Sequence, residues 1–296
     1  MIDEVHLNFS PESLIALNVI MAFVLFGIAL DLKLGDFKRI KEMPKEVLVG
    51  LSGQLILLPL LTVALIYFFE PIPSMGLGMI MVASCPGGNL SNFMTHYAKG
   101  NAALSVTLTT FATLLAVVIT PINFYFWGNM LESTSSIIQT IDLPFWGMVL
   151  QVFLLIGVPL SVGLFISHKY PKIADKGKRP MKFFSLFFFG MFILLALIGN
   201  WEYFLEYIHL IFILVLIHNA IAFLGAFSWA SIFRIKPFEK RAITMEVGIQ
   251  NSGLALILIF NFFDGLGGMA IIAAFWGIWH IVAGLSLSYF WSKRTL

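Results

Sequence analysis

The chain has 296 residues, of which 59% are hydrophobic and only 11% are charged. Soluble domains carry about 25% charged residues, so this composition excludes a soluble globular protein and indicates a helical protein that crosses the membrane several times. The net charge is only +2 and the basic residues are scattered among loops, which excludes a nucleic-acid-binding surface. The one cysteine, Cys85, excludes an internal disulfide and a zinc site built from cysteines.

Nine apolar segments are each roughly 20 residues long or longer, which is the length a helix needs to cross the hydrocarbon core of a bilayer. The connections between them are short, so we predict one transmembrane domain over residues 1–296 and no soluble domain. In chain order the predicted spans are Ser13–Leu32, Lys45–Phe69, Ser74–Ala98, Asn101–Trp127, Leu143–His168, Met181–Asn200, Glu206–Phe233, Lys240–Phe263 and Gly268–Ser292.

The charges are divided between the two sides of this predicted arrangement. All 18 Lys and Arg residues fall on one side. The charged residues of the opposite loops are all acidic, and they include Glu70, Glu132 and Asp264. Because cytoplasmic loops are rich in Lys and Arg, this pattern predicts an external N-terminus and a cytoplasmic C-terminus. No transit peptide or long tail is recognisable, so we expect a multi-pass protein of the bacterial inner (plasma) membrane.

Two of the predicted spans are interrupted by polar and helix-breaking residues. The third contains the run Ser84–Asn92 (SCPGGNLSN), in which proline removes a backbone donor and glycines tolerate irregular dihedral angles. Asn89 and Ser91 in this run suit the start of a new half-helix as caps. The eighth span contains Gly248–Gly253 (GIQNSG). Unwound backbone at membrane depth is tolerated only inside protein or beside a cavity, although a simple proline kink is the alternative in the third span.

The two interrupted spans enter the membrane from opposite sides in the predicted topology. Each is followed by an apolar helix with an aromatic end, FYFW at Phe124–Trp127 and YFW at Tyr289–Trp291. This arrangement predicts an inverted repeat, which in secondary transporters places the binding site near the midplane of the bilayer. Interfacial aromatic belts alone would give similar ends, so the pattern leaves both interpretations open.

Glu246 is an isolated carboxylate within the eighth span. A charged group at the centre of the bilayer costs about 2.5–3.5 kcal/mol on insertion scales, and no Lys or Arg lies at the depth of Glu246 to offset this. Such a carboxylate must take up a proton or hold a cation. Gln250 lies one helical turn further on, and Ser105 and Thr109 repeat that spacing in the fourth span. Carboxylate, amide and hydroxyl oxygens suit a small hard cation, although hydrogen bonds between helices would also explain the hydroxyls.

The lack of Lys and Arg inside the predicted spans also bears on the solute. An organic anion would have to be held by the positive N-terminal ends of two half-helices, which begin near Asn89 and Asn251, together with bound cations. His280 lies in the middle of the ninth span, where it could line a cavity or bond to a neighbouring carbonyl. We keep both interpretations of His280.

These residues resemble the bile acid:sodium symporter family. The resemblance extends from about Leu30 to the end of the chain and includes Gln54 with Pro59 in the second span. The motifs that carry it are CPGGNLSN at Cys85–Asn92, AKGNAALSVTLTT at Ala98–Thr110 and EVGIQNSGLA at Glu246–Ala255.

The resemblance implies an all-α polytopic membrane protein with nine transmembrane helices and inverted repeats. In that fold a core domain with two crossing discontinuous helices moves against a panel domain. By this resemblance we expect the core at about 74–127 and 240–292, and the panel at about 13–69 and 143–233.

The resemblance also implies two Na+ sites and a solute site. The first Na+ site would use Ser91, Asn92, Ser105, Thr109 and Glu246. The second would use Gln54, Glu246, Gln250 and the backbone carbonyls of Val247 and Ile249. The solute would lie near Asn89, Asn251 and His280, and Asn89 stands where bacterial relatives often have Thr.

We therefore expect a sodium-coupled symporter that imports a small organic anion, such as a bile acid, pantoate or a keto acid, by alternating access. The expected partners are the organic anion, sodium ions and the lipid bilayer, with no nucleic acid and no obligate protein partner. One competing hypothesis is a proton-coupled or metalloid (arsenite-type) carrier with Cys85 as a soft ligand. Two further hypotheses are a receptor without transport and an intramembrane enzyme with Glu246 and His280 as an acid–base pair. The sequence contains no nucleophile motif beside that pair, which disfavours the enzyme.

Overall fold

The computed structural model of the chain describes residues 11–31, 41–141, 145–199 and 201–294. We number the helices of these ranges in chain order. They are α1 (Pro11–Asp31), α2 (Pro44–Phe69), α3 (Pro73–Ser84), α4 (Leu90–Tyr97), α5 (Ala102–Gly128), α6 (Glu132–Thr140), α7 (Phe145–Lys169), α8 (Pro171–Gly199), α9 (Trp201–Ile232), α10 (Pro237–Gly248), α11 (Ser252–Phe262) and α12 (Gly267–Ser292). The predicted span ends Leu32, Leu143 and Asn200 lie outside the described residues.

Five helices of the described ranges are long and apolar enough to cross a membrane: α2, α5, α7, the Ile211–Ile232 part of α9, and α12. Shorter apolar helices occur at Leu14–Leu30, Pro73–Ser84 and Ser252–Phe262. The predicted all-α, multi-pass membrane protein is therefore confirmed, whereas the full count of nine spans stays a prediction.

Both predicted interruptions are present. The third predicted span is divided into α3 and α4, and the eighth is divided into α10 and α11. The two unwound segments meet in a short antiparallel bridge between Gly87 and Gln250. The bridge is closed by the Gly88 amide, which donates to the Ile249 carbonyl at 2.8 Å, and by the Asn251 amide, which donates to the Pro86 carbonyl at 2.9 Å. Backbone groups that the helices leave free are thus paired with each other, as burial at this depth requires.

The half-helices begin in different ways. Asn251 caps α11, because its side-chain oxygen accepts a hydrogen bond from the Leu254 amide at 3.1 Å. Asn89 precedes α4 but its side chain makes no capping bond, and Ser91 gives its hydroxyl to Glu246 instead. The predicted capping by Asn89 and Ser91 was therefore wrong. The first turn of α4 is closed by the backbone, with the Ser91 amide 2.9 Å from the Gly88 carbonyl.

A π-turn at Gly53–Leu57 widens α2 just before Pro59. Proline has no N–H, so Pro59 cannot make the bond that a regular α-helix directs to the carbonyl of Leu55, four residues earlier. The side-chain amide of Asn123, on α5, donates to that carbonyl at 2.8 Å. The π-turn is also where Gln54 lies, and π-turns are frequent at functional positions.

Packing divides the helices into two groups. α1 packs against α7 and α8, whereas α2 packs against α3 and α10, and α9 packs against α10 and the continuous helix α12. The groups meet where α7 packs against α5 and where α1 packs against α11. At the second contact Asn18 on α1 and Asn261 on α11 exchange side-chain hydrogen bonds of 3.2 and 3.0 Å. The interrupted helices are therefore enclosed mainly by α2, α5, α9 and α12.

Replacing Asn123 by Leu is expected to destabilise the protein by about 1–3 kcal/mol, because the partly buried Leu55 carbonyl would lose this donor. Thermal unfolding of the purified protein in detergent measures the loss as a lower midpoint. Gln139→Leu is the control, since the exposed Gln139 donates to the Ser135 hydroxyl, where about 0.5 kcal/mol or less is expected. Equal midpoints for the two variants would contradict this role of Asn123.

Candidate functional site

The carboxylate of Glu246 is buried, with 1% of the residue exposed. Its oxygen Oε2 accepts hydrogen bonds from the hydroxyls of Ser91 at 2.6 Å and Thr109 at 2.8 Å, and Ser105 lies at 3.5 Å. These hydroxyls come from α4 and α5, while Glu246 lies in the last turn of α10. Three helices thus converge on one carboxylate oxygen, and hydrogen bonds to an ionised group of this kind are the strong ones.

The other carboxylate oxygen, Oε1, is buried and has no hydrogen-bond partner among the described residues. It lies against Gly87, where an added Cβ atom would overlap Oε1 and stand 3.1 Å from the Glu246 backbone oxygen. Any side chain at position 87 would therefore require the Glu246 carboxylate to move. An ionised oxygen without a partner is costly in a buried site, so a positive group beside Oε1 would stabilise it.

Further polar groups extend this cluster. The Thr109 hydroxyl lies 3.2 Å from the Asn92 side-chain oxygen, and the Thr95 hydroxyl donates to the Ser105 hydroxyl at 3.3 Å. The structure therefore brings the other four residues predicted for the first ion site together near Glu246. Thr95 was not predicted, although its spacing from Ser91 repeats the four-residue spacing of Ser105 and Thr109.

The residues predicted for the second ion site lie on the neighbouring side of the bridge. The buried amides of Gln54 and Gln250 exchange hydrogen bonds of 2.8 and 3.1 Å, and Gln54 also donates to the Cys85 carbonyl at 3.0 Å. Gln250 donates in addition to the Val247 carbonyl. The Ile249 carbonyl is used by the bridge to Gly88. Gln54, Gln250 and Val247 are thus brought together, whereas Ile249 takes part in the bridge between the two segments.

The residues predicted to hold the solute lie on different elements near the bridge, with Asn89 before α4, Asn251 before α11 and His280 on α12. In the antiparallel register Asn251 pairs with Pro86, so Asn89 lies three residues further along the same segment. The segment turns here, because Asn89 has helical dihedral angles (φ −57°, ψ −19°) and the Ser91 amide donates to the Gly88 carbonyl. Asn89 is exposed, and Asn251 is partly buried with its side-chain oxygen used in capping.

His280 is buried on α12, and its Nδ1 atom has no partner among the described residues. The glycines one turn before and after it show which face of α12 meets the second unwound segment. Gly277 lies against the side chain of Ser252, and Gly284 lies against Ile249 and Met94. His280 therefore belongs to the face of α12 that packs beside Asn251.

The donor set around Glu246 consists of oxygen atoms from one carboxylate, one amide and several hydroxyls. Sets of this kind suit small hard cations such as Na+ rather than transition metals. The described residues contain no group of three or more His, Cys, Asp and Glu side chains that could hold a metal ion together. Among the described residues no group bonds to Oε1 of Glu246, so a cation beside that oxygen would be compatible with this site.

A multi-pass helical membrane protein whose two interrupted helices meet beside a buried carboxylate has the construction of a secondary transporter. The chain belongs to the sodium bile acid symporter family, whose family model matches residues 18–207. That family consists of sodium-coupled transporters and not of enzymes.

Relatives from bacteria, animals and plants are similar over most of the chain. The uncharacterized sodium-dependent transporter YocS of Bacillus subtilis is 30% identical over 278 residues, which cover 94% of this chain and 83% of the relative. The ileal sodium/bile acid cotransporter of Homo sapiens is 26% identical over 245 residues, 82% of this chain and 68% of that protein. The probable chloroplastic sodium/metabolite cotransporter BASS2 of Oryza sativa is 29% identical over 283 residues, 93% of this chain and 64% of that protein.

Replacing Gly87 by Ala is expected to abolish sodium-stimulated solute uptake, because the new methyl group would displace the Glu246 carboxylate. Uptake into membrane vesicles, with and without sodium, measures the effect. Gly190→Ala on α8 is the matched control, since a Cβ atom there meets nothing within 4 Å. Wild-type uptake by Gly87→Ala would show that the close approach of Gly87 to the carboxylate has no functional role.

Proposed function

We propose that this protein is a sodium-coupled symporter that imports a small organic anion by alternating access. The observation that carries the proposal is the Glu246 carboxylate, which has one oxygen surrounded by hydroxyls and the other buried without a partner among the described residues. A sodium ion beside the second oxygen would complete the site. Membership of a sodium symporter family supports sodium as the coupled ion.

We assign two sodium sites to the residues around the bridge. The first uses oxygens of Ser91, Asn92, Ser105, Thr109 and Glu246. The second uses Gln54, Gln250 and Glu246 with the carbonyls of Val247 and Ile249. The contacts that support the first site are direct, whereas the second requires the amides of Gln54 and Gln250 to turn part of their hydrogen bonding from each other to the ion.

The solute is an organic anion in this proposal, held at the crossing by Asn89, Asn251 and His280. Relatives named for bile acid and for metabolite cotransport support that solute class. With two sodium ions and a monovalent anion, each cycle would carry net positive charge inward. Since sodium orders the backbone that the solute contacts, each ligand would increase the affinity for the other by the same factor. Thermal-shift screening against organic acids, in sodium and in potassium, would identify the solute.

The packing supports a particular division into moving parts. We propose that α1, α7 and α8 form the panel, and that α2 and α9 move with the interrupted helices, against which they pack. This division differs from the one implied by the family resemblance, which groups both α2 and α9 with the panel. The Asn18–Asn261 pair then joins the panel to the core near the outer ends of α1 and α11, given an external N-terminus. In this conformation that pair would close the outer side, and it would separate when the outer side opens.

Replacing Glu246 by Gln or Ala is expected to abolish sodium-stimulated uptake without preventing membrane insertion. Either change removes the charge that attracts the ion, and Gln preserves the size of the side chain. Uptake in proteoliposomes under a sodium gradient measures the loss, with the exposed Glu206→Gln as control. Full uptake by the Glu246 variants would refute the assignment. Wild-type uptake that follows a pH gradient and ignores sodium would favour the proton-coupled carrier.

Linking positions 18 and 261 is expected to stop transport. In an Asn18→Cys, Asn261→Cys double variant, a short bifunctional thiol reagent would hold α1 against α11 and block the outward-open state. Uptake before treatment, after treatment and after removal of the linker measures the block. The two single substitutions, Asn18→Cys and Asn261→Cys, serve as controls for modification without a link. The native Cys85 is buried. Undiminished uptake by the linked protein would contradict movement at this contact.

A further inference from the structure

A buried asparagine outside the predicted site contacts the unwound part of the eighth span. Asn219, on α9, is fully buried, and its side-chain amide donates to the Gly248 carbonyl at 2.9 Å. Phe223, one turn further along α9, lies against the same glycine, where a Cβ atom would overlap its ring. One face of α9 therefore holds Gly248 both by a hydrogen bond and by an apolar contact.

The bond from Asn219 fills a definite place in the hydrogen bonding at the end of α10. The last carbonyls of a helix have no partner within it. Here the Met245 carbonyl accepts from the Ile249 amide, and the Val247 carbonyl accepts from the Gln250 side chain. The Gly248 carbonyl is left to Asn219. Without Asn219 this buried carbonyl would lose the donor that the structure gives it.

Fixing the Gly248 carbonyl also fixes its neighbours. The peptide plane that carries this carbonyl joins Gly248 to Ile249, so its orientation constrains the dihedral angles on both sides of it. Those angles set the directions of the Val247 and Ile249 carbonyls. Glycine would otherwise allow a wide range of directions at this position, because it has no Cβ to restrict them.

We propose that Asn219 is a positioning residue for sodium binding, which acts by holding the Gly248 carbonyl and thereby directing the carbonyls of Val247 and Ile249. Asn219 does not itself bind the ion in this proposal. The inference rests on the proposed function, because those two carbonyls belong to the second sodium site assigned above. The outer partners of metal ligands commonly change ion affinity by about 10–100-fold when they are removed.

The test is the sodium activation curve of solute uptake by Asn219→Leu in proteoliposomes. The variant keeps the branched shape of the side chain and removes the donor. We expect the sodium concentration for half-maximal uptake to rise about tenfold, the lower end of the range for such partners. The KM for the solute at saturating sodium should stay near the wild-type value, since the solute residues are untouched.

Thr62→Val is the matched control. The Thr62 hydroxyl lies 2.7 Å from the ring of His218, the neighbour of Asn219, in a buried hydrogen bond between α2 and α9. The control therefore removes a polar contact of α9 that does not involve α10. Its sodium requirement should stay near wild type. An equal rise in both variants, or no rise in Asn219→Leu, would overturn the proposal. Asn219→Ala, which removes the same donor, carries the same expectation if the Leu variant does not insert.

The two proposals fail in different ways. If wild-type uptake ignores sodium, or Glu246→Gln transports normally, the proposed function fails. If Glu246→Gln is inactive while Asn219→Leu has the wild-type sodium requirement, only the inference about Asn219 fails. Sodium-dependent thermal stabilisation of the purified variants provides a second readout that does not depend on solute binding.

Discussion

A buried carboxylate that forms no ion pair with a described basic side chain constrains the arrangement around it. Glu246 is tolerated where it lies because α4 and α5 direct hydroxyls to one oxygen and Gly87 leaves room for the other. Both conditions require α4 to begin next to the end of α10. The break in the third span is therefore more than a kink, because it brings the hydroxyl of Ser91 and the bare backbone of Gly87 to the same carboxylate. Hydrogen bonds lower the free-energy cost of burying the carboxylate, but a bound cation or a proton is needed to offset its negative charge.

The sequence predicts those parts of the structure that local chemistry determines. Proline beside paired glycines disfavours a regular helix, so the residues after Ser84 predicted a break there, with a proline kink as the alternative. The spacing of Ser105 and Thr109 placed both hydroxyls on one helical face. Partners from distant segments were not predictable in this way. An asparagine in an apolar span looks the same whether it donates to a carbonyl freed by Pro59, as Asn123 does, or to the end of another helix, as Asn219 does.

Some predictions failed because tertiary contacts replaced local ones. Asn89 and Ser91 are good capping residues, yet the bridge to the second segment already orders the backbone before α4, and Ser91 has a stronger acceptor in Glu246. The π-turn of α2 was likewise invisible in the sequence. The residues before Pro59 could equally form a regular helix. The donor that satisfies the Leu55 carbonyl is Asn123 on α5, 68 residues away in the sequence.

The bridge between the unwound segments makes the distance between the proposed ion and solute sites very short. Gly87 lies against the carboxylate, and the residue before it accepts the amide of Asn251, the cap of α11. A shift of the Glu246 side chain would therefore move Gly87, and through Pro86 and its hydrogen bond to Asn251 it would reach the start of α11. An isolated bridge of this kind has few backbone bonds to resist such a shift. Side chains from outside the bridge, Gln54 on one segment and Asn219 on the other, supply restraint that the backbone alone does not. Coupling between the two sites then needs no long chain of contacts, because both sites share the same few peptide units.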